Sequence, residues 1–182
     1  MMPIDYKEII DFWFAEIDPR CWWAKDARLD QLIRDRYGAI HSAAAHCECY
    51  GWRRHVLGRL AEIIILDQFS RNIYRNKAAA FANDALALAL AQEAISLGAN
   101  RHLPPEQKGF LYLPFMHSES RTIHTMAVKL FAEPQLQKNL AFEYQHKKII
   151  DRFGRYPHRN VILGRKSTAE ESEFLKQPDS AF

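Results

Sequence analysis

Apolar side chains recur along most of this chain at intervals of three and four, the spacing that lines one face of an α-helix. Ile9, Ile10, Trp13 and Phe14 follow the rule after Asp5, which stands three positions before Glu8 as in a capping box, so a first helix is expected from about Asp5. Pro19 in "IDPRCWWAKD" ends it. A second helix is expected from Asp26 to Cys47, with Leu29, Leu32, Ile33, Tyr37 and Ile40 on its inner side. A third starts near Trp52 and carries Val56, Leu57, Leu60, Ile63 and Ile64 up to Asp67.

The stretch "DALALALAQEAISLG" alternates like a strand, but alanine and leucine are the best helix formers and β-branched residues are nearly absent. It is expected to be a helix capped by Gly98. A fifth helix starts after Pro104 and Pro105 and is kinked by Pro114, which removes the bond to the Phe110 carbonyl. "SRTIHTMAVKLFAE" is a sixth, stopped by Pro134, and a seventh runs from about Leu136 to Phe153 before Gly154. Thr168 and Glu171 form a capping box for a short last helix through Leu175. No segment reads as a strand. The pattern predicts an all-α array of about seven or eight antiparallel helices joined by short turns. It places residues 1–176 in a single domain, with a frayed tail over 177–182.

Composition narrows the picture. A chain of 182 residues and 21.2 kDa suits one domain with a substantial core. The net charge of +3 is spread along the chain, with no basic block longer than a pair such as Arg53 and Arg54, which speaks against a nucleic-acid interface. The N-terminus "MMPIDYKEIIDFWF" mixes acids with its apolar residues and does not read as a signal peptide. Aliphatic runs such as Ile63 to Leu66 are far too short to cross a bilayer. Cys21, Cys47 and Cys49 are few and odd in number, pointing to reduced thiols in a cytoplasm.

Polar residues on apolar faces are the chemical signal. Asp67 shares the face of Ile63 and Ile64, and Arg71 lies one turn further, so an acid and an arginine are aimed inward together. His117 follows Leu113 by four and Glu119 follows Phe115 by four, while His146 shares a face with Phe142, Ile149, Ile150 and Phe153. The loop after Gly154 adds Arg155, His158, Arg159, Asn160 and Arg165. One reading joins Asp67, Gln68, Arg71, Asn72, Tyr112, His117, Arg159 and Asn160 into a site for a small anionic ligand or a peptide carboxylate, because arginine suits planar, bidentate recognition. A second is an enzyme, hydrolase-like, with His117, His158 or Glu119 moving protons and Asp67 orienting one of them. A third is a protein-interaction scaffold. Against all three stands a structural reading in which Asp67 with Arg71, or Glu119 with Arg159, staples helix ends together.

Two other clusters carry less. "HCECYGWRRH" brings His46, Cys47, Cys49 and His55 together, but it lacks the paired spacing of structural zinc sites, so no metal is expected. Trp13, Phe14, Trp22 and Trp23 read as core. No nucleophile elbow, P-loop or dinucleotide fingerprint is present, and no cofactor is implied.

Taken together, "LDQFSRNIYR", "FLYLPFMHSE" and "FGRYPHRNVILGR" resemble the bacterial family known as domain of unknown function 924. The resemblance extends from "FWF" and "WWAKD" to "STAEESEFL". It implies a right-handed, tetratricopeptide-like superhelix of antiparallel helix pairs and no assigned reaction. Its motif positions fall on Asp67, Gln68, Arg71, Asn72 and Arg75, on Tyr112, Pro114, His117, Ser118 and Glu119, and on Arg155, Pro157, His158, Arg159, Asn160 and Arg165. The chain departs from that pattern at Ser70, where the family usually has proline and a looser turn is expected here, and in "SRTIHT", which replaces an acidic stretch.

Overall fold

The computed structural model describes residues 4–178 and 180. Among these there are nine α-helical segments and no strand. They are α1 (Tyr6–Asp11), α2 (Ala27–Ala45), α3 (Val56–Ile64), α4 (Ser70–Ile73), α5 (Asp84–Ser96), α6 (Pro105–Met116), α7 (Arg121–Phe131), α8 (Gln137–Phe153) and α9 (Ala169–Phe174). The chain forms two compact units, one running through Arg75 and including Ala79–Pro114, the other made of Asn76–Ala78 and the chain from Phe115 onward.

In the first unit α1 packs on α3, α3 on α5, and α2 on the segment from Ile65 to Ile73. Helix α1 starts at Asp5 without the expected capping box: the Asp5 side chain makes no capping bond, and the Glu8 carboxylate pairs with Arg36 instead. Helix α2 begins one residue after Asp26, whose carboxylate accepts the Arg28 and Leu29 amides. Its buried face is Asp30, Ile33, Tyr37, His41 and Ala44, while Leu32 is 48% exposed. The inner side is therefore rotated from the face expected through Leu29 and Leu32, and it carries two polar groups.

Helix α3 does not stop at Asp67. It passes into a π-helical turn, Ile65–Phe69, and continues as α4. A π-turn fits one extra residue into the coil. That turn buries Ile65, Leu66, Asp67, Gln68 and Phe69 together. A second π-turn, Phe12–Glu16, extends α1 and is closed by the Ile17 amide on the Phe12 carbonyl at 3.1 Å. The two π-turns meet through aromatic rings: Phe69 lies 6.0 Å from Phe12, 5.5 Å from Trp13 and 5.2 Å from Tyr37. Trp13 is 1% exposed, whereas Trp23 is 63% exposed and stacks on Phe110, so the tryptophan group is only partly core.

Ser70 sits inside this continuous coil and is fully buried, its hydroxyl donating to the Leu66 carbonyl and bonded to His41 Nε2 at 2.8 Å. The turn expected to be loosened there is tied down by a side chain. In α5 the alanines Ala87, Ala91 and Ala94 are buried at helical spacing, and Gly98 follows with φ +76°. Pro114 lies within α6, which continues to Met116.

In the second unit α7 packs on α8, the two joined through the short Pro134–Leu136 turn. Ser120 caps α7, and Gly154 ends α8 with φ +70° and its amide on the Ile150 carbonyl at 2.8 Å. Ile149, Ile150 and Tyr156 form a core patch covered by Phe153 and Phe174. The Thr168–Glu171 capping box is present at α9. Of the tail expected over 177–182, residues 179, 181 and 182 lie outside the described residues, and Ser180 is buried with its hydroxyl on the Leu175 carbonyl.

Candidate functional site

The candidate residues fall into two groups, one in each unit. In the first unit the π-turn aims Asp67 and Gln68 inward, where Gln68 Nε2 donates to Asp67 Oδ2 at 2.6 Å. Arg71, one turn on, donates to the Asp67 carbonyl oxygen at 2.6 Å, pairs with its carboxylate at 3.3 Å and reaches Asp84 at 3.1 Å. Asn72 turns to the other side of α4 and donates to Asp30 at 2.8 Å, beside Arg75, whose Nη2 reaches the same carboxylate at 2.6 Å. Arg34 adds a bond to the Ile73 carbonyl at 2.6 Å. Burial pushes the Asp30 carboxyl up, but the bonds from Arg75 and Asn72 outweigh it and hold it below its ordinary value. Tyr112 is buried on α6 and accepts from Asn100 at 3.0 Å.

Asp30, Arg34 and His41 were not singled out from the sequence. The signal for Asp30 was present in its spacing, since Asp30, Ile33, Tyr37 and His41 are three and four apart. His41 is held neutral by burial. The His41–Ser70 contact looks like a nucleophile and base, but the serine hydroxyl donates to a backbone carbonyl and both residues are buried, so the imidazole N–H simply finds an acceptor.

In the second unit the network is denser and its arginines are used differently than expected. Glu119 takes two parallel bonds from Arg165, at 2.6 and 2.9 Å, and the Tyr156 amide at 2.8 Å. The staple thus joins Glu119 to Arg165, not to Arg159. Glu171 takes two bonds from Arg155, at 2.6 and 2.8 Å, and the Arg155–Glu171 pair holds its carboxyl down at about 2. Asn160 is fully buried and binds Arg165, Ser167 and Glu171, so it organises the loop from within.

Around Tyr156 the chemistry changes from carboxylates to nitrogens. The ring is 1% exposed, and its hydroxyl donates to the Met116 carbonyl at 2.5 Å. Arg159, 6% exposed, lies with its guanidinium 4.6 Å over the ring. His146, His158 and His124 surround it at ring-centre distances of 5.8, 5.5 and 6.2 Å. His146 donates from Nδ1 to the Phe142 carbonyl at 2.8 Å. Burial, with repulsion from His117, His124 and Arg159, pushes the His146 imidazole down to about 3, so it is neutral at ordinary pH. His124 and Glu143, neither singled out from the sequence, are fully buried and joined at 2.7 Å.

Asp67, Gln68, Arg71, Asn72 and Tyr112 therefore belong to the first unit, and His117, Glu119, His158, Arg159 and Asn160 to the second. Among the described residues no group of three or more histidines, cysteines or acids is arranged to hold a metal ion. No helix among them is long and apolar enough to cross a membrane.

The comparisons with known proteins agree on kinship and are silent on chemistry. No curated protein matches the chain. Among solved structures it is similar to the protein of unknown function ATU0120 from Agrobacterium tumefaciens, with 38% identity, a TM-score of 0.89, and coverage of 94% of this chain and 96% of that one. A family model described as a bacterial protein of unknown function, DUF924, matches residues 9–179. That span takes in all three motif segments, and the chain belongs to this bacterial family.

Proposed function

We propose that this protein binds a small anionic molecule, a carboxylate or a phosphate, at the nitrogen-rich cluster around Tyr156. One observation carries the reading: a guanidinium and three imidazoles converge within 4.6–6.2 Å of a single buried ring. Arg159 supplies the fixed charge, and the half-buried His158 lies beside the same ring. Asn160 shapes the loop that presents Arg159. The first-unit residues Asp67, Gln68, Arg71 and Asn72 bond among themselves and to neighbouring acids, which favours a structural role for them.

Binding is favoured over proton-transfer catalysis by the state of Glu119. Its carboxyl is raised by burial but lowered further by Arg165 and the Tyr156 amide, so it is an anion held by strong donors and a poor proton carrier. Free thiols at Cys21, Cys47 and Cys49 suit a cytoplasmic protein. The test is a thermal-shift panel of inorganic phosphate, acetate, succinate and a short peptide with a free C-terminus. A saturable rise in Tm that disappears in folded Arg159→Gln supports the reading, and an equal rise in wild type and variant overturns it. A response to the peptide alone assigns the site to a chain terminus.

A further inference from the structure

We propose that His124 and Glu143 serve the anion site as a positioning pair: they hold one proton between them, and its loss weakens anion binding. The ligand half rests on the reading above; the proton follows from the geometry alone.

His124 on α7 and Glu143 on α8 are both 0% exposed. His124 Nε2 lies 2.8 Å from the Ser118 carbonyl, which only accepts, so Nε2 carries a hydrogen. That hydrogen also leans toward the Tyr156 oxygen at 3.2 Å, whose own hydrogen goes to Met116. With Nε2 committed, Nδ1 and Glu143 Oε1 face each other at 2.7 Å and need a single proton between them. Without it, two lone pairs would be pressed together in a dry core, or the ring would change tautomer and give up Ser118.

The other carboxyl oxygen, Glu143 Oε2, is fully buried and has no hydrogen-bond partner. A full carboxylate charge would be costly on such an atom, so the proton rests on the carboxyl side and the pair is neutral. Burial pushes the Glu143 carboxyl up, and the pull of His124 offsets this only in part. Lys147 and Asp151 act on Glu143 with opposite signs, and His117, His124 and Arg159 act on His146 nearby.

Through Nε2 the pair helps to fix Tyr156, the ring on which Arg159 lies. Losing the proton places a net negative charge behind that ring and disturbs its anchor. Both effects oppose an anion.

The first experiment is a ring-nitrogen NMR titration of the ligand-free protein, labelled with ¹⁵N-histidine, from about pH 6 to about pH 9.5. His124 is expected as the Nε2–H form at neutral pH, with an Nδ1 shift that moves as the pH rises in wild type and not in Glu143→Gln, where the amide donates permanently. An Nδ1–H form at neutral pH, or identical titrations in the two proteins, overturns the shared proton. The wild-type spectrum decides the tautomer alone should the variant fail to fold. The second experiment measures sulfate affinity over the same range, since sulfate keeps its charge. Wild type should lose affinity roughly tenfold as the pair gives up its proton, and Glu143→Gln should not. Matching profiles overturn the positioning role. Absence of sulfate binding overturns the anion site and the affinity claim, leaving the proton to the spectrum.

Discussion

Arg165 closes on Glu119 through two parallel hydrogen bonds, Nη1 to Oε2 at 2.6 Å and Nη2 to Oε1 at 2.9 Å, across 46 positions of sequence. The side chains are each a quarter exposed, so the pair is screened only in part. Glu119→Gln removes the charge and one acceptor, leaves Arg165 with the Asn160 and Tyr156 oxygens, and should cost about 1–2 kcal/mol in urea unfolding. Arg165→Lys cannot reproduce the fork and should cost a similar amount. A loss below about 0.3 kcal/mol in both would remove the pair from any account of loop stability.

Glu171 gives an acid-sensitive counterpart. Arg155 and the Thr168 amide hold its carboxyl at about 2, below the value near 4.3 of an unfolded chain. The native state thus gains stability from the ionised form above about pH 4.3, and the gain is lost as pH falls toward about 2. Allowing for solvent screening, the contribution is about 1 kcal/mol. Glu171→Gln should lower stability at neutral pH and flatten the stability profile between these limits. A variant with the wild-type slope there would show that other carboxyls set the acid response.

Local signals were legible in the sequence, and distant partnerships were not. Gly98, Gly154, the prolines and the Thr168–Glu171 box act within a few residues, so the helix ends could be placed from spacing. The Asp67–Arg71 pair is likewise one turn apart and was readable. The π-turn at Ile65–Phe69 was not, because a run apolar on every side gives no period from which to detect one extra residue. The inner face of α2 was misplaced for a related reason: Leu29 and Leu32 outweighed Asp30 and His41 in any apolar pattern, yet the polar pair is buried because Arg75, Asn72 and Ser70 meet it. Glu143 and His124 are 19 positions apart on separate helices, and nothing in spacing ties an acid on one to an imidazole on the other.

Gly58 tests the packing at the start of α3. A Cβ there would run into the backbone carbonyl of Trp52, which cannot swing aside as a side-chain tip would. Gly58→Ala should therefore cost about 2–4 kcal/mol despite the better helix propensity of alanine. Circular dichroism with urea unfolding measures it, and a stabilised variant would mean that the 3₁₀ turn Glu48–Arg54 shifts freely.

His146 should dominate the response to mild acid. Its imidazole is neutral in the folded protein down to about pH 3, held so by burial and by His117, His124 and Arg159, whereas an unfolded histidine takes up a proton near pH 6.5. Between these limits the unfolded chain binds the extra proton, so folding stability falls as pH falls, by up to about 1.4 kcal/mol per pH unit. From pH 7 to pH 4.5 the loss should be about 2–3 kcal/mol, a large part of the stability of an ordinary domain. His146→Gln keeps a donor for the Phe142 carbonyl and has no proton to gain, so it should be less stable at pH 7 but lose much less on acidification. Urea unfolding of both proteins at the two pH values gives the comparison. Equal losses would place the acid sensitivity elsewhere, with His41, which is also buried and kept neutral by burial, as the next residue to replace.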